Sequence, residues 1–184
     1  AYKYGGFTEL TFSRKYQVKL KYSYMSDVQE SGSYSFVEDN SFLLGGDNGR
    51  KMSVSRMDGI EEQKVDFSFR FLKSFKLYLS AADQKYNLIS GYRYKDITTN
   101  DTLDGFNQAL VTAALRIAPG ERFMQTSRSI LPTNVNYPVF WIKYIKGFDE
   151  YNGGYNFDKI EVRLDKTYKW RILGKTSFSV DAGR

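Results

Sequence analysis

The chain has 184 residues, enough for one domain with a sizeable core that needs no disulfide or metal to stabilise it. It contains no Cys and no His, which removes disulfides, thiolate nucleophiles, imidazole bases and Cys/His zinc sites at once. The formal net charge of +6 and a pI near 9.3 suit nucleic acid, anionic lipid or a cationic channel lining, and choose among none of them. Aromatic residues make up 17%, yet hydrophobic residues are only 41% and mean hydropathy is −0.51. That combination points to strands apolar on one face only.

The first stretch, Gly6 to Asp27, sets the pattern. Its even positions read Leu10, Phe12, Tyr16, Val18, Leu20, Tyr22 and Tyr24, interrupted by Arg14. Its odd positions read Glu9, Thr11, Ser13, Lys15, Gln17, Lys19, Lys21 and Ser23. Successive strand side chains point to opposite faces, so one face is apolar and the other cationic and polar. As one strand it would exceed about 60 Å, so we read two strands meeting at Ser13-Arg14-Lys15.

Ser26 to Lys64 reads as irregular, with a turn cluster at Gly45-Gly46-Asp47-Asn48-Gly49. Short alternations at Tyr34-Ser35-Phe36 and Met52-Ser53-Val54 read as strands continuing above a sheet or barrel rim. Val65, Phe67, Phe69 and Phe71 then alternate with Asp66, Ser68 and Arg70. After Lys73-Ser74, Phe75, Leu77 and Leu79 alternate with Lys76 and Ser80, which predicts a tight hairpin with Tyr78 misplaced among the polar positions. Leu88 to Tyr94 reads as a weaker strand, and Lys95 to Asn107 as a polar loop.

Gln108 to Ala118 favours a helix by propensity, but period two places Ala109, Val111, Ala113, Leu115 and Ile117 on one side, and we read a strand. A long loop with Pro119-Gly120 and Pro132 leads to Tyr137 to Lys146, apolar on both faces. Past Asn152-Gly153-Gly154, Ile160, Val162 and Leu164 alternate with Lys159, Glu161, Arg163 and Asp165. A last hairpin turning near Leu173-Gly174-Lys175 returns with Phe178, Val180 and Ala182 on one face. The count is eight to ten strands with no secure helix.

Short turns alternating with long polar loops are the rhythm of an antiparallel up-and-down transmembrane β-barrel. Tyr and Phe near strand ends would form an interfacial girdle. Mid-strand Lys19, Lys21, Arg70, Lys76, Glu161 and Arg163 suit a wet lumen better than a dry core. Leu20, Tyr22, Phe67, Phe69, Val162 and Phe178 are then the lipid-facing set. The alternative is a soluble β-sandwich or small barrel acting as a binding module, including a basic nucleic-acid-binding β domain. Against nucleic acid, Tyr22 and Tyr24 have the opposite parity to Lys19 and Lys21, whereas a stacking surface needs both on one face.

The C-terminal third carries a resemblance. Leu115-Arg116-Ile117-Ala118-Pro119-Gly120-Glu121-Arg122-Phe123, Tyr137-Pro138-Val139-Phe140 and Tyr144-Ile145-Lys146-Gly147-Phe148 come first. Asn156-Phe157-Asp158-Lys159, Leu173-Gly174-Lys175-Thr176-Ser177-Phe178 and Asp181-Ala182-Gly183 follow. This ordered set, over Ala109 to Gly183, resembles an outer-membrane family of Bacteroidetes-type bacteria. That family joins an N-terminal carboxypeptidase-regulatory-like domain to a C-terminal surface-antigen barrel of the BamA/TamA type. The resemblance implies a bacterial outer-membrane location and a role in transport, protein insertion or surface assembly. Its partners would be membrane lipid and other outer-membrane or periplasmic subunits. It also implies that residues 1–184 are an internal barrel segment of a longer chain.

Other motifs carry less. Ile145-Lys146-Gly147-Phe148 is similar to an Arg-Gly-aromatic lumen anchor, but Lys lacks the bidentate fork, and a strand running into a Gly turn is the simpler reading. Asp149-Glu150 and the carboxylates Asp158, Glu161 and Asp165 are interspersed with Lys and Arg, and no pair stands out for acid/base work. Asn100 to Gly105 lacks the Glu that a calcium loop needs, since Val111 stands there. The glycine cluster at 45–49 lacks the Lys and the following helix of a phosphate loop. The expectation is a non-enzymatic barrel segment with no cofactor and no metal.

Overall fold

The computed structural model describes residues 4–13, 15–30, 57–88, 93–95, 102–103, 105–125, 130–132, 137–149, 155–170 and 174–184. Eight strands form one antiparallel meander: β1 (Tyr4–Ser13), β2 (Val18–Glu30), β3 (Met57–Leu72), β4 (Phe75–Leu88), β7 (Gly105–Ile117), β10 (Val139–Phe148), β11 (Phe157–Trp170) and β12 (Gly174–Gly183). Two small hairpins lie in its connections, β5 (Tyr94–Lys95) with β6 (Thr102–Leu103) and β8 (Phe123–Gln125) with β9 (Ile130–Pro132). The main sheet ends at β1 on one side and β12 on the other, so these eight strands do not close on themselves.

The two hairpins expected at 13–15 and 73–74 form, and Gln108 to Ala118 folds as strand β7. The segment 26–64 is less irregular than its composition indicates. β2 continues to Glu30 and β3 begins at Met57, pairing Ser26 with Glu61 and Glu30 with Met57. Apart from Val28, Met57 and the buried Ile60 these extensions are polar on both faces, so they carry little period-two contrast. Likewise β4 runs unbroken to Leu88 where a separate weak strand was expected to begin, and β7 already starts at Gly105 inside the expected polar loop. The alternations at 34–36 and 52–54 and the glycine cluster at 45–49 lie outside the described residues.

Register fixes two faces. Cross-strand pairing places Lys21, Asp66, Ser80 and Thr112 on one face in one row. Lys143 stands opposite Ala114 and Glu161 on that same face. The other face carries Leu20 opposite Phe67, Phe67 opposite Leu79, and Leu79 opposite Ala113. A flat sheet covered on neither side would expose both faces equally. Here burial alternates along β4 from Leu79 and along β10 from Val139 to Ile145, and the face that carries Leu79, Ala81, Phe140, Ile142 and Tyr144 is the more exposed one. The sheet therefore curls around its charged face, which is hereafter the inner face.

Gly147 corrects one local expectation. It lies within β10 and not in a turn, opposite Phe157, whose ring lies where a Cβ would project. A glycine inside a strand usually marks such a close approach. Gly147→Ala should therefore lower the unfolding free energy by about 1–3 kcal/mol through overpacking. Gly6→Ala is the control, because a Cβ at Gly6 meets nothing within 4 Å. Urea unfolding in detergent, followed by circular dichroism, measures both. Equal midpoints for the two variants would refute this account of Gly147.

Candidate functional site

The inner face is a lattice of ion pairs built by register. Lys19 reaches Glu9 at 2.7 Å, Lys64 reaches Asp66 at 3.5 Å, and Lys143 and Lys159 reach Glu161 at 3.6 and 2.6 Å. Arg163 contacts Asp165 at 2.8 Å and Asp181 at 3.7 Å, while Ser179 donates to Asp165 at 2.8 Å. Gln84 donates to Glu62, and the Tyr86 hydroxyl donates to Gln84 at 3.0 Å. Glu161 is buried, and its two lysines answer the cost of taking a carboxylate out of water.

The tightest cluster lies at the end of the sheet where the β1–β2 and β3–β4 turns are short. The chain leaves β7 at Ile117, and Pro119-Gly120 turns it back, with Gly120 at φ +84°, a region that favours glycine. That turn delivers Glu121 to Arg116, whose guanidinium grips both carboxylate oxygens at 2.8 and 2.7 Å. Arg70, from β3, reaches the same carboxylate at 3.2 Å. Arg70 also donates to Gln17 Oε1 at 3.2 Å and to the Lys73 carbonyl at 2.8 Å, and its guanidinium lies 4.0 Å from the centre of the Phe123 ring. The Arg70 amide donates to the Tyr16 carbonyl at 2.7 Å, and the Ala118 amide to Ser74 at 2.8 Å. One carboxylate and one arginine thus tie three connections into a single rim.

Burial alone would raise the Glu121 carboxyl, but the hydrogen bonds and charges of Arg116 and Arg70 outweigh it and hold the group below the ordinary carboxylate range. Beside it, burial pushes the Tyr137 phenol up to about 12, and the Glu121 charge adds to the rise. Trp141 extends the cluster inward, 5.6 Å from Tyr78 and 5.8 Å from the Arg116 guanidinium. Tyr78, the residue that broke the polar pattern of β4, therefore belongs to an aromatic seat on the inner face.

All six residues expected to line a lumen, Lys19, Lys21, Arg70, Lys76, Glu161 and Arg163, lie on the inner face. All six expected to face lipid, Leu20, Tyr22, Phe67, Phe69, Val162 and Phe178, lie on the outer face. Tyr22, Val162 and Phe178 are 47, 44 and 58% exposed. Among the described residues the buried hydrophobic side chains are Ile60, Ala114, Ala118 and Tyr137, none from the outer face of the sheet. Sequence reasoning did not single out Glu121, Arg116 or Lys143. The available signal was Arg116, charged on the polar side of β7, followed by a Pro-Gly reversal and an acid. The Lys146-Gly147 pair takes no anchoring role: Lys146 points outward and pairs with Asp158 at 2.9 Å. Among the described residues no group of three or more acidic side chains gathers as a metal site.

Glu121→Gln should destabilise the protein by about 3 kcal/mol, the lower end for a broken buried pair, because Arg70 and Arg116 keep partial access to water. The folded Glu121 titrates below its unfolded value near 4.5, so its contribution is complete above that value and is lost as pH falls through the depressed one. Unfolding midpoints from pH 7 down to pH 3 should converge for wild type and Glu121→Gln. A constant gap across that range would contradict the pairing.

Residues 94–184 match the model of a family described as a family of unknown function (DUF5686), C-terminal domain. No curated protein and no solved structure matches the chain. The matched span contains β5 to β12 and includes Arg116, Glu121, Lys143 and Glu161.

Proposed function

We propose that this chain forms part of the wall of a bacterial outer-membrane β-barrel, its outer face toward lipid and its inner face toward a water-filled lumen. The observation that carries this reading is the inverted burial of the sheet. Ile142, Ile160, Val162, Leu164, Phe178 and Val180 are 37 to 64% exposed, while Glu161 and Glu121 are buried. In water each such side chain would forgo up to roughly 1.5–3 kcal/mol of burial. In lipid it forgoes none.

The dimensions support the same reading. On β4 the outer face is apolar from Phe75 through Leu77, Leu79 and Ala81, and turns polar at Asp83. Seven residues at about 3.3 Å each, tilted by about 40°, span roughly 18 Å of membrane thickness, against an apolar band of about 25 Å on known barrels. Aromatics cluster at the short-turn end of this band. Phe69, Phe71 and Phe75 stand 5.5 to 5.8 Å apart in succession, and Tyr168 lies 6.0 Å from Phe178. At the opposite end stand Tyr4 and Tyr24, with ring centres 6.0 Å apart.

The role within the membrane is non-enzymatic: transport, insertion or surface assembly, with lipid and other outer-membrane or periplasmic subunits as partners. That finer statement rests on the sequence resemblance. Nucleic acid is disfavoured by the separation of Tyr22 and Tyr24 from Lys19 and Lys21 onto opposite faces. The two tryptophans are native reporters, because Trp141 belongs to the inner face and Trp170 to the outer face, where it is 56% exposed. In liposomes of brominated phospholipid, the Trp141→Phe protein should lose most of its emission and the Trp170→Phe protein little. Equal quenching of both would contradict the assignment of the two faces, and none in either would point instead to a soluble binding module.

A further inference from the structure

We propose that the inner face binds a small multivalent oxyanion, of the phosphate or phosphomonoester class, at Lys76. Elsewhere on this face most of the lysines and arginines meet an acid: Lys19 with Glu9, Lys64 with Asp66, Lys143 and Lys159 with Glu161, Arg163 with Asp165, while Lys21 lies over the Phe7 ring and stands opposite Glu9 and Asp66 in register. The row through Lys76 breaks that rule. Register sets Arg70 directly opposite Lys76 on one side and Arg116 directly opposite it on the other. Like charges opposite one another across strands repel, and this row places three in succession.

The acids nearby do not balance it. Arg70, Lys19 and Arg116 repel the Lys76 ammonium, and Glu121 attracts it. Glu121 is already held by both arginines, and Glu9 by Lys19, so four cations share two carboxylates. Among the described residues no carboxylate forms an ion pair with Lys76. Its ammonium rests 4.5 Å from the centre of the Tyr78 ring, a partner that accepts positive charge but brings no negative charge of its own.

A phosphate oxyanion fits this surplus. A lysine ammonium is a compact point charge with three donors, suited to a phosphate oxygen, and the flanking arginines add field without leaving Glu121. Lys76 is half-buried beside Tyr78, whose ring packs against Trp141, and charge interactions there are stronger than in bulk water. The inference needs only a wet inner face, and it stands whether or not the outer face meets lipid.

The test is calorimetric titration of inorganic phosphate into the chain in lipid-free, uncharged detergent at constant ionic strength, with chloride as the reference salt. Saturable binding is expected, competed by sulfate. Lys76→Gln should weaken it about tenfold, the loss of one charge-assisted hydrogen bond. Lys76→Arg should retain it, and Lys85→Gln, on the outer face of the same strand, should leave it unchanged. Lys76→Gln relieves repulsion, so its β-sheet circular dichroism should persist, and Lys19→Gln supplies a second weakened variant. A non-saturable response shared by all variants would overturn the proposal. So would binding seen only in vesicles of anionic phospholipid, which would assign the surplus charge to headgroups.

Discussion

Register is the constraint on which everything else in this sheet depends. In an antiparallel ladder a slip of one residue exchanges the two faces completely. Lys143 stands opposite Glu161, Arg163 opposite Asp181, and Glu9 opposite Lys21, so the native register brings opposite charges together on the inner face. Slipping β11 by one residue against β10 would bring Val162 opposite Lys143 and turn Glu161 outward. Ion pairs of this kind add little net stability, because desolvation offsets their attraction, but breaking one is costly. Their contribution here is to select one alignment among several that would satisfy the backbone equally.

The short-turn rim shows the same logic at higher density. Arg70 and Arg116 come from strands separated by β4, and Glu121 comes from beyond the end of β7. No two of the three side chains are cross-strand partners, so only the Pro119-Gly120 reversal can bring the acid back to both bases. Gln17 is held at φ +48°, a strained value for a non-glycine residue, and Arg70 donates to its side chain. A single electrostatic knot therefore sets the shape of several turns at once.

Much of this was legible from residue alternation. Val65 to Phe71 and Ile160 to Asp165 declare their faces plainly, because apolar and charged residues strictly alternate there. The extensions Ser26 to Glu30 and Met57 to Lys64 were missed because both of their faces are mostly polar, so pairing more than side-chain contrast makes them strands. Gly147 was misread because glycine ordinarily ends strands, and its reason for being in one is the Phe157 ring ten residues away. Glu121 had a local signal in Arg116, five residues earlier, but its second partner Arg70 lies fifty-one residues earlier and left none. Contacts set by the three-dimensional path leave no local period to read.

What distinguishes this sheet chemically is the placement of its charge and not the amount of it. A soluble β domain buries its large apolar side chains, and here the outer face leaves Ile142, Val162 and Phe178 exposed while Glu121 and Glu161 are buried. The most direct measurement is a nitroxide scan of residues 158–165 on β11 in lipid bilayers, reading collision with oxygen and with a polar nickel complex at each position. The account gives oxygen maxima at Ile160, Val162 and Leu164, with nickel maxima at Lys159, Glu161 and Arg163, two period-two waves out of phase. Protection of Ile160, Val162 and Leu164 from both reagents would contradict it, since that face would then be covered by protein.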